Sequence, residues 1–121
     1  MPRLILSLAA AGLLLAACSP EQDTAARAIG DPDNGKALIL RLGCGACHEI
    51  PGVEQAHGLV GPPLSGIARR TIIAGMLPNT PQNMIRWLQV PQTVVPGNAM
   101  PNLELNDHDA RDIAAYLATL R

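Results

Sequence analysis

The sequence predicts an all-α domain, on three observations. Apolar residues recur at i, i+3 or i, i+4 spacing in three separate stretches, each opened by a residue that caps helices. The intervening stretches are rich in proline and glycine, and no βαβ alternation is present. Finally, 121 residues allow one domain at most, and they hold one tryptophan, one tyrosine and no phenylalanine, so the protein alone supplies few large side chains for a core. A formal net charge of −1, without a basic run or a glycine-rich phosphate loop, excludes a strongly basic nucleic-acid binder.

Taken in order, residues 1–17 read as a targeting segment. Arg3 gives a short positive region, and Leu4 to Ala17 carries no charge and is too short for a comfortable membrane span. Leu15-Ala16-Ala17-Cys18 resembles the lipobox of bacterial lipoproteins, which implies that Cys18 is lipidated and begins the mature chain; ordinary cleavage near the small residues, leaving a free Cys18 thiol, is the competing reading. More than one acyl chain gives stable anchoring where a single chain is marginal. Ser19 to Asp31 is polar, with Pro20 and Gly30, and reads as a flexible tether. The expected boundaries are therefore a signal peptide over 1–17, a lipidated N-terminus and tether over 18–31, and a folded domain over 32–121.

The first helix is predicted from an N-cap at Asp33 through Leu42, with Leu38 and Leu42 on one face and Gly43 ending it. It delivers Cys44-Gly45-Ala46-Cys47-His48, the Cys-x-x-Cys-His signature of covalent haem attachment. Two thiols at this spacing can add across the two vinyl groups of one haem, and the next histidine then lies under the iron as a proximal ligand. Gly45 and Ala46 are expected to leave room for the macrocycle, and a buried haem supplies the missing apolar bulk. A zinc site needs a second pair of ligands at short spacing, whereas Cys18 is far upstream and His57 and His108 stand alone. A thiol redox pair remains the alternative.

Glu49 to Val60 is loop, with Pro51, Gly52 and Gly58. Gly61-Pro62-Pro63-Leu64 is a stiff extended segment, because each proline fixes its own φ and restricts the residue before it. A helical turn is expected within Leu64 to Arg70, with Arg69 and Arg70 a solvated pair or, alternatively, a docking or haem-propionate contact. Thr80 caps the second long helix with Pro81 at its first position; Met84, Ile85 and Leu88 form its apolar face and Pro91 stops it. Gln92 to Leu105 is loop. The last helix opens at Asn106, and Ala110, Ile113, Ala114 and Leu117 recur at i, i+3, i+4, i+7.

A haem with one protein ligand is an open site for small molecules, and one with two is suited to moving electrons. Candidates for the second ligand are Met76, Met84, Met100, His57 and His108. Met84 fits a helix face, where a core role is the default. Met100 is favoured, because it is an apolar side chain in Pro96-Gly97-Asn98-Ala99-Met100-Pro101, a loop with no helical face to occupy.

In this order, Cys44-Gly45-Ala46-Cys47-His48, Gly61-Pro62-Pro63-Leu64, Trp87-Leu88-Gln89-Val90-Pro91, Pro96 to Pro101 and Ile113-Ala114-Ala115-Tyr116-Leu117 make the region from Asp31 to Arg121 resemble class I cytochromes c of the small bacterial type. The resemblance implies the cytochrome c fold, a few helices wrapped around one covalently bound haem c, with His48 and Met100 as iron ligands. It implies that Pro62 offers its carbonyl to His48, that Leu64 packs on the proximal face, that Trp87 lies near Met100 on the distal face, and that Asn98 contacts the cofactor. Gly35 and Tyr116 would mark the crossing of the first and last helices.

Gly43 to His48, Ile73-Ala74-Gly75 and Asn79-Thr80-Pro81 further resemble cytochrome c domains associated with bacterial terminal oxidases. The expectation is a non-enzymatic, mono-haem electron carrier on the periplasmic side of a membrane, inner or outer, held by its lipid anchor. Its partner would be a cytochrome c oxidase or that oxidase's electron donor in a respiratory chain. The rivals are a five-coordinate haem enzyme or sensor, and an electron-entry module of a dehydrogenase complex.

Overall fold

The computed structural model describes residues 20–121. Five helices follow in order, α1 (Pro20–Arg27), α2 (Pro32–Arg41), α3 (Pro81–Gln89), α4 (Pro91–Val94) and α5 (Asp107–Thr119). Short 3-10 turns lie at Cys44–Ala46 and Ile67–Arg69, and one two-residue hairpin pairs β1 (Ile72–Ile73) with β2 (Leu77–Pro78). Among the described residues no helix is long and apolar enough to cross a membrane.

Helix α2 starts two residues before the expected Asp33. Asp31 is the cap, its carboxylate accepting from the N–H of Asp33 at 3.0 Å, and Pro32 takes the first helical position, where a missing N–H costs nothing. The helix ends as predicted, because Gly43 adopts φ +73, a left-handed conformation that favours glycine. Thr80 caps α3 through the N–H of Asn83 at 3.2 Å, and Asn106 caps α5 through the N–H of Asp109 at 2.8 Å.

The scaffold is the crossing of α2 and α5. A Cβ on Gly35 would lie 1.9 Å from the backbone oxygen of Asp112, so only glycine lets the two backbones approach this closely. Leu38 and Ile39 of α2, Met84, Ile85 and Leu88 of α3, and Ile113 and Leu117 of α5 share one core with Ile50, Val53, Ile67 and Ile73 from the connections. Tyr116 is buried on α5 and its O–H donates to the Pro51 carbonyl at 2.6 Å, tying the loop after the haem motif to the scaffold. Burial pushes its phenol up from the ordinary pKa.

One charged group is buried at the same crossing. Asp112 is 3% exposed, and its carboxylate accepts from the N–H of Asp31 at 2.8 Å and the side-chain amide of Asn34 at 2.7 Å, with His108 Nδ1 at 3.4 Å. Burial alone would raise its pKa; the two hydrogen bonds and the imidazole more than reverse this, leaving it below the usual carboxylate value. Asp112 therefore ties the start of α2 to α5 by its charge.

Three expectations need correction. Ser19 to Asp31 is not an unstructured tether over its described part: α1 packs on α5 with Ala26 at 1% exposure, and Arg27 bridges to Asp33 at 3.0 Å. Pro91 does not simply end a helix, since after a break at Val90 (φ −136, ψ 56) it opens α4 inside the stretch expected to be loop. The β1–β2 hairpin was not expected; its turn carries Ala74 at φ +52 and Gly75 at φ +70, as mirror-image hairpin turns require. The signal segment and Cys18 lie outside the described residues.

Candidate functional site

Beyond Gly43 the chain makes one 3-10 turn, with the N–H groups of Cys47 and His48 donating to the Cys44 carbonyl at 3.2 and 3.0 Å. The turn sets Cys44, Cys47 and His48 together on the wall of a cavity of about 500 Å³. Both thiols are unpaired and half-buried, and burial pushes the Cys44 thiol up, keeping it protonated at neutral pH. Gly45 serves a different purpose from the one expected. A Cβ there would meet the Cα of Ala56 at 2.7 Å, so the missing side chain makes room for the returning loop, and the N–H of Gly58 donates to the Gly45 carbonyl at 3.0 Å.

His48 Nδ1 lies 2.7 Å from the Pro62 carbonyl. A carbonyl can only accept, so Nδ1 carries the proton and Nε2 is left with its lone pair. Gly61 lies against the ring: its N–H donates to the Cys47 carbonyl at 2.7 Å, and a Cβ on it would come within 2.3 Å of His48 Cε1. Leu64 lines the same wall, held by its N–H to the Glu49 carbonyl at 2.8 Å. Arg70 also lines the cavity, and its guanidinium donates to the carbonyls of Pro63 and Ser65; Arg69 is exposed and away from it. The two arginines therefore differ in role.

Trp87 and Met84 of α3 line the same cavity, as do Asn98, Ala99, Met100 and Pro101. Met100 is partly buried against the core. Asn98 is a loop organiser: its Nδ2 donates to the carbonyls of Pro91 at 3.0 Å and Val95 at 2.7 Å, and its Oδ1 accepts from the Met100 N–H at 2.7 Å. Of the other ligand candidates, Met76 is 59% exposed and outside the cavity wall, His57 is exposed beside Glu49, and the His108 side chain is 78% exposed next to Asp112. Met84 reaches the cavity from the core, its side chain 7% exposed.

The donor set fits a covalently held haem. One apolar cavity is lined by two free thiols three residues apart, an imidazole with one free nitrogen, and the thioether of Met100. The sequence profile of the cytochrome c family matches residues 32–121. This chain belongs to the cytochrome c family. Among its relatives, a cytochrome c-553-like protein of Synechocystis is 33% identical over 75% of this chain and 70% of its own length. Cytochrome c2 of Agrobacterium tumefaciens is 34% identical over 73% and 90%. Cytochrome c oxidase subunit 2 of Alkalihalophilus pseudofirmus is 30% identical over 74% of this chain but 25% of its own length, so the chain spans about a quarter of that relative. The domain is a class I c-type cytochrome with one covalent haem c, and its chemistry is electron transfer. Family membership sets aside the thiol-pair alternative.

The residues that sequence reasoning missed are Gly61 as the rest for the His48 ring, Arg70 as the brace of the Pro63–Ser65 segment, Asp112, and Gln92. Gly61 carried a signal, since it opens the stiff Pro62-Pro63 segment, and the sequence singles out Arg70 only as a solvated, docking or haem-propionate residue.

Proposed function

We propose that Cys44 and Cys47 would hold the haem through two thioether bonds and that His48 Nε2 and the Met100 sulfur would ligate its iron. The observation that carries this reading is the 2.7 Å contact between His48 Nδ1 and the Pro62 carbonyl, in a cavity that Met100 also lines. A proton fixed on Nδ1 leaves Nε2 free for iron and raises its basicity. Pro62 thus acts through His48, Leu64 and Trp87 exclude water from either side, and Asn98 shapes the loop that presents Met100.

Bound haem supplies the one-electron couple. The protein's part is to keep both ligands in place in both oxidation states, so that a single electron enters and leaves with no bond to a substrate. Histidine–methionine ligation raises the potential. In the proposed setting the chain works on the periplasmic side of a bacterial membrane, held by a lipid on Cys18, and passes electrons to or within a terminal oxidase. Support for that partner comes from three relatives named cytochrome c oxidase subunit 2, each matched over a quarter of its length.

Met100→Ala tests the ligand assignment. The oxidised wild type should show a weak near-infrared sulfur-to-iron charge-transfer band and, when reduced, bind carbon monoxide poorly. The variant should lose the band, bind carbon monoxide readily and have a lower potential. Rapid carbon monoxide binding by the wild type would reject the ligand pair and favour an open haem site.

A further inference from the structure

One side chain holds the Met100 loop at three points. Gln92 is the second residue of α4, a helix whose first residue, Pro91, is fully buried and whose last, Val94, is 7% exposed. From this fixed base the Gln92 amide reaches over the loop. Its Nε2 donates to the carbonyl of Asn98 at 2.8 Å and to that of Met100 at 2.9 Å, and its Oε1 accepts from the N–H of Gly97 at 3.1 Å. A primary amide is the side-chain group that offers two donors and an acceptor at one end, and here all three are directed at residues 97, 98 and 100. Asn98 serves the complementary set, the carbonyls of Pro91 and Val95 and the N–H of Met100. Two amides thus bond both backbone groups of Met100.

We propose that Gln92 is a positioning residue for the ligand methionine: its amide ties the loop from Gly97 to Met100 and sets how often the sulfur leaves the iron. The inference rests on Met100 being the ligand. Without the three bonds, residues 97–100 regain backbone freedom that the bound geometry has to remove again. Gln92 lies on the exposed side of the loop, so water replaces part of what is lost and each bond contributes modestly. The consequence is a shift in the population with an open sixth position, with the fold and the proximal side unchanged.

The test uses the haem-loaded full chain as wild type, Gln92→Ala and Gln92→Glu, titrating the oxidised protein with imidazole while following the near-infrared band, the midpoint potential and the melting temperature. Gln92→Ala should raise imidazole affinity by about tenfold and lower the potential. Gln92→Glu, which keeps the acceptor for Gly97 but turns a negative charge on two carbonyls, should raise it at least as far. Imidazole affinities equal to that of a wild type that shows the band would overturn the proposal, and so would a lowered melting temperature with unchanged affinity, which assigns Gln92 a merely structural part. A wild type without the band would overturn the Met100 reading, and the Gln92 proposal with it.

Discussion

The two faces of the haem cavity are built on different principles. On the proximal face His48 is joined in sequence to Cys47, rests against Gly61 and is gripped by the carbonyl of Pro62, so short backbone connections and two prolines leave it almost no freedom. On the distal face Met100 sits in a loop without regular structure, and its backbone is held by the side chains of Gln92 and Asn98. One face is fixed by covalent proximity and main-chain sterics, the other by replaceable hydrogen bonds. The comparison teaches that, with Met100 as the proposed ligand, opening is expected on the methionine side.

The largest effect should come from breaking the proximal face. Gly61→Ala places a methyl 2.3 Å from the His48 ring, which cannot retreat without losing Pro62, so a loss of about 3 kcal/mol is expected, seen as a lowered thermal midpoint together with an altered haem spectrum. Breaking the distal face should cost less. Asn98→Ala removes three loop bonds and should weaken the Met100 band while lowering stability by about 2 kcal/mol, measured by denaturant titration.

A third variant tests whether either face depends on the helix crossing. Asp112→Asn should destabilise by about 1–2 kcal/mol at neutral pH and leave both ligands in place. The sign follows from its lowered folded-state pKa: the contribution of Asp112 is complete above the ordinary carboxylate value of 3.8 and is lost as the pH falls through the lower folded value. The gap between variant and wild type in acid unfolding should therefore close below about pH 4. The smallest effect is expected from Ala74→Gly, which relieves a positive-φ alanine at the cavity rim and should stabilise by about 0.5–1 kcal/mol in a thermal melt, with the iron spectrum unchanged.

On the proximal face, covalent attachment dictates the spacing of Cys44, Cys47 and His48 and makes that motif readable in the sequence, whereas the Pro62 contact followed from the family resemblance and is seen in the structure. The three long helices were readable through their periodicity and caps, and Asp31-Pro32 could have been found by the reasoning that placed Thr80-Pro81. The distal face was legible as a loop with a misplaced apolar residue, but not as a structure. Gln92 looked like any polar loop residue, because what it bonds is decided by where α4 aims it. Asp112 was hidden for a related reason, since periodicity consigns a charged residue to the solvent side and cannot see a second helix arriving with two donors. Helix α1 and the hairpin were too short for any period to register, and a single alanine is all that α1 buries.

Helix α1 also changes what a lipid on Cys18 would do. As an extended leash, the 13 residues from Ser19 to Asp31 could let the domain roam about 45 Å from the bilayer. Wound into eight helical residues and docked on α5, most of that length contracts to about 12 Å. A chain anchored as proposed is then less a ball on a string than a bracket bolted to the surface. Its search for a partner becomes a two-dimensional one within a thin layer above the lipid, where the effective concentration of a membrane-bound acceptor is high and that of a protein free in the surrounding volume is not.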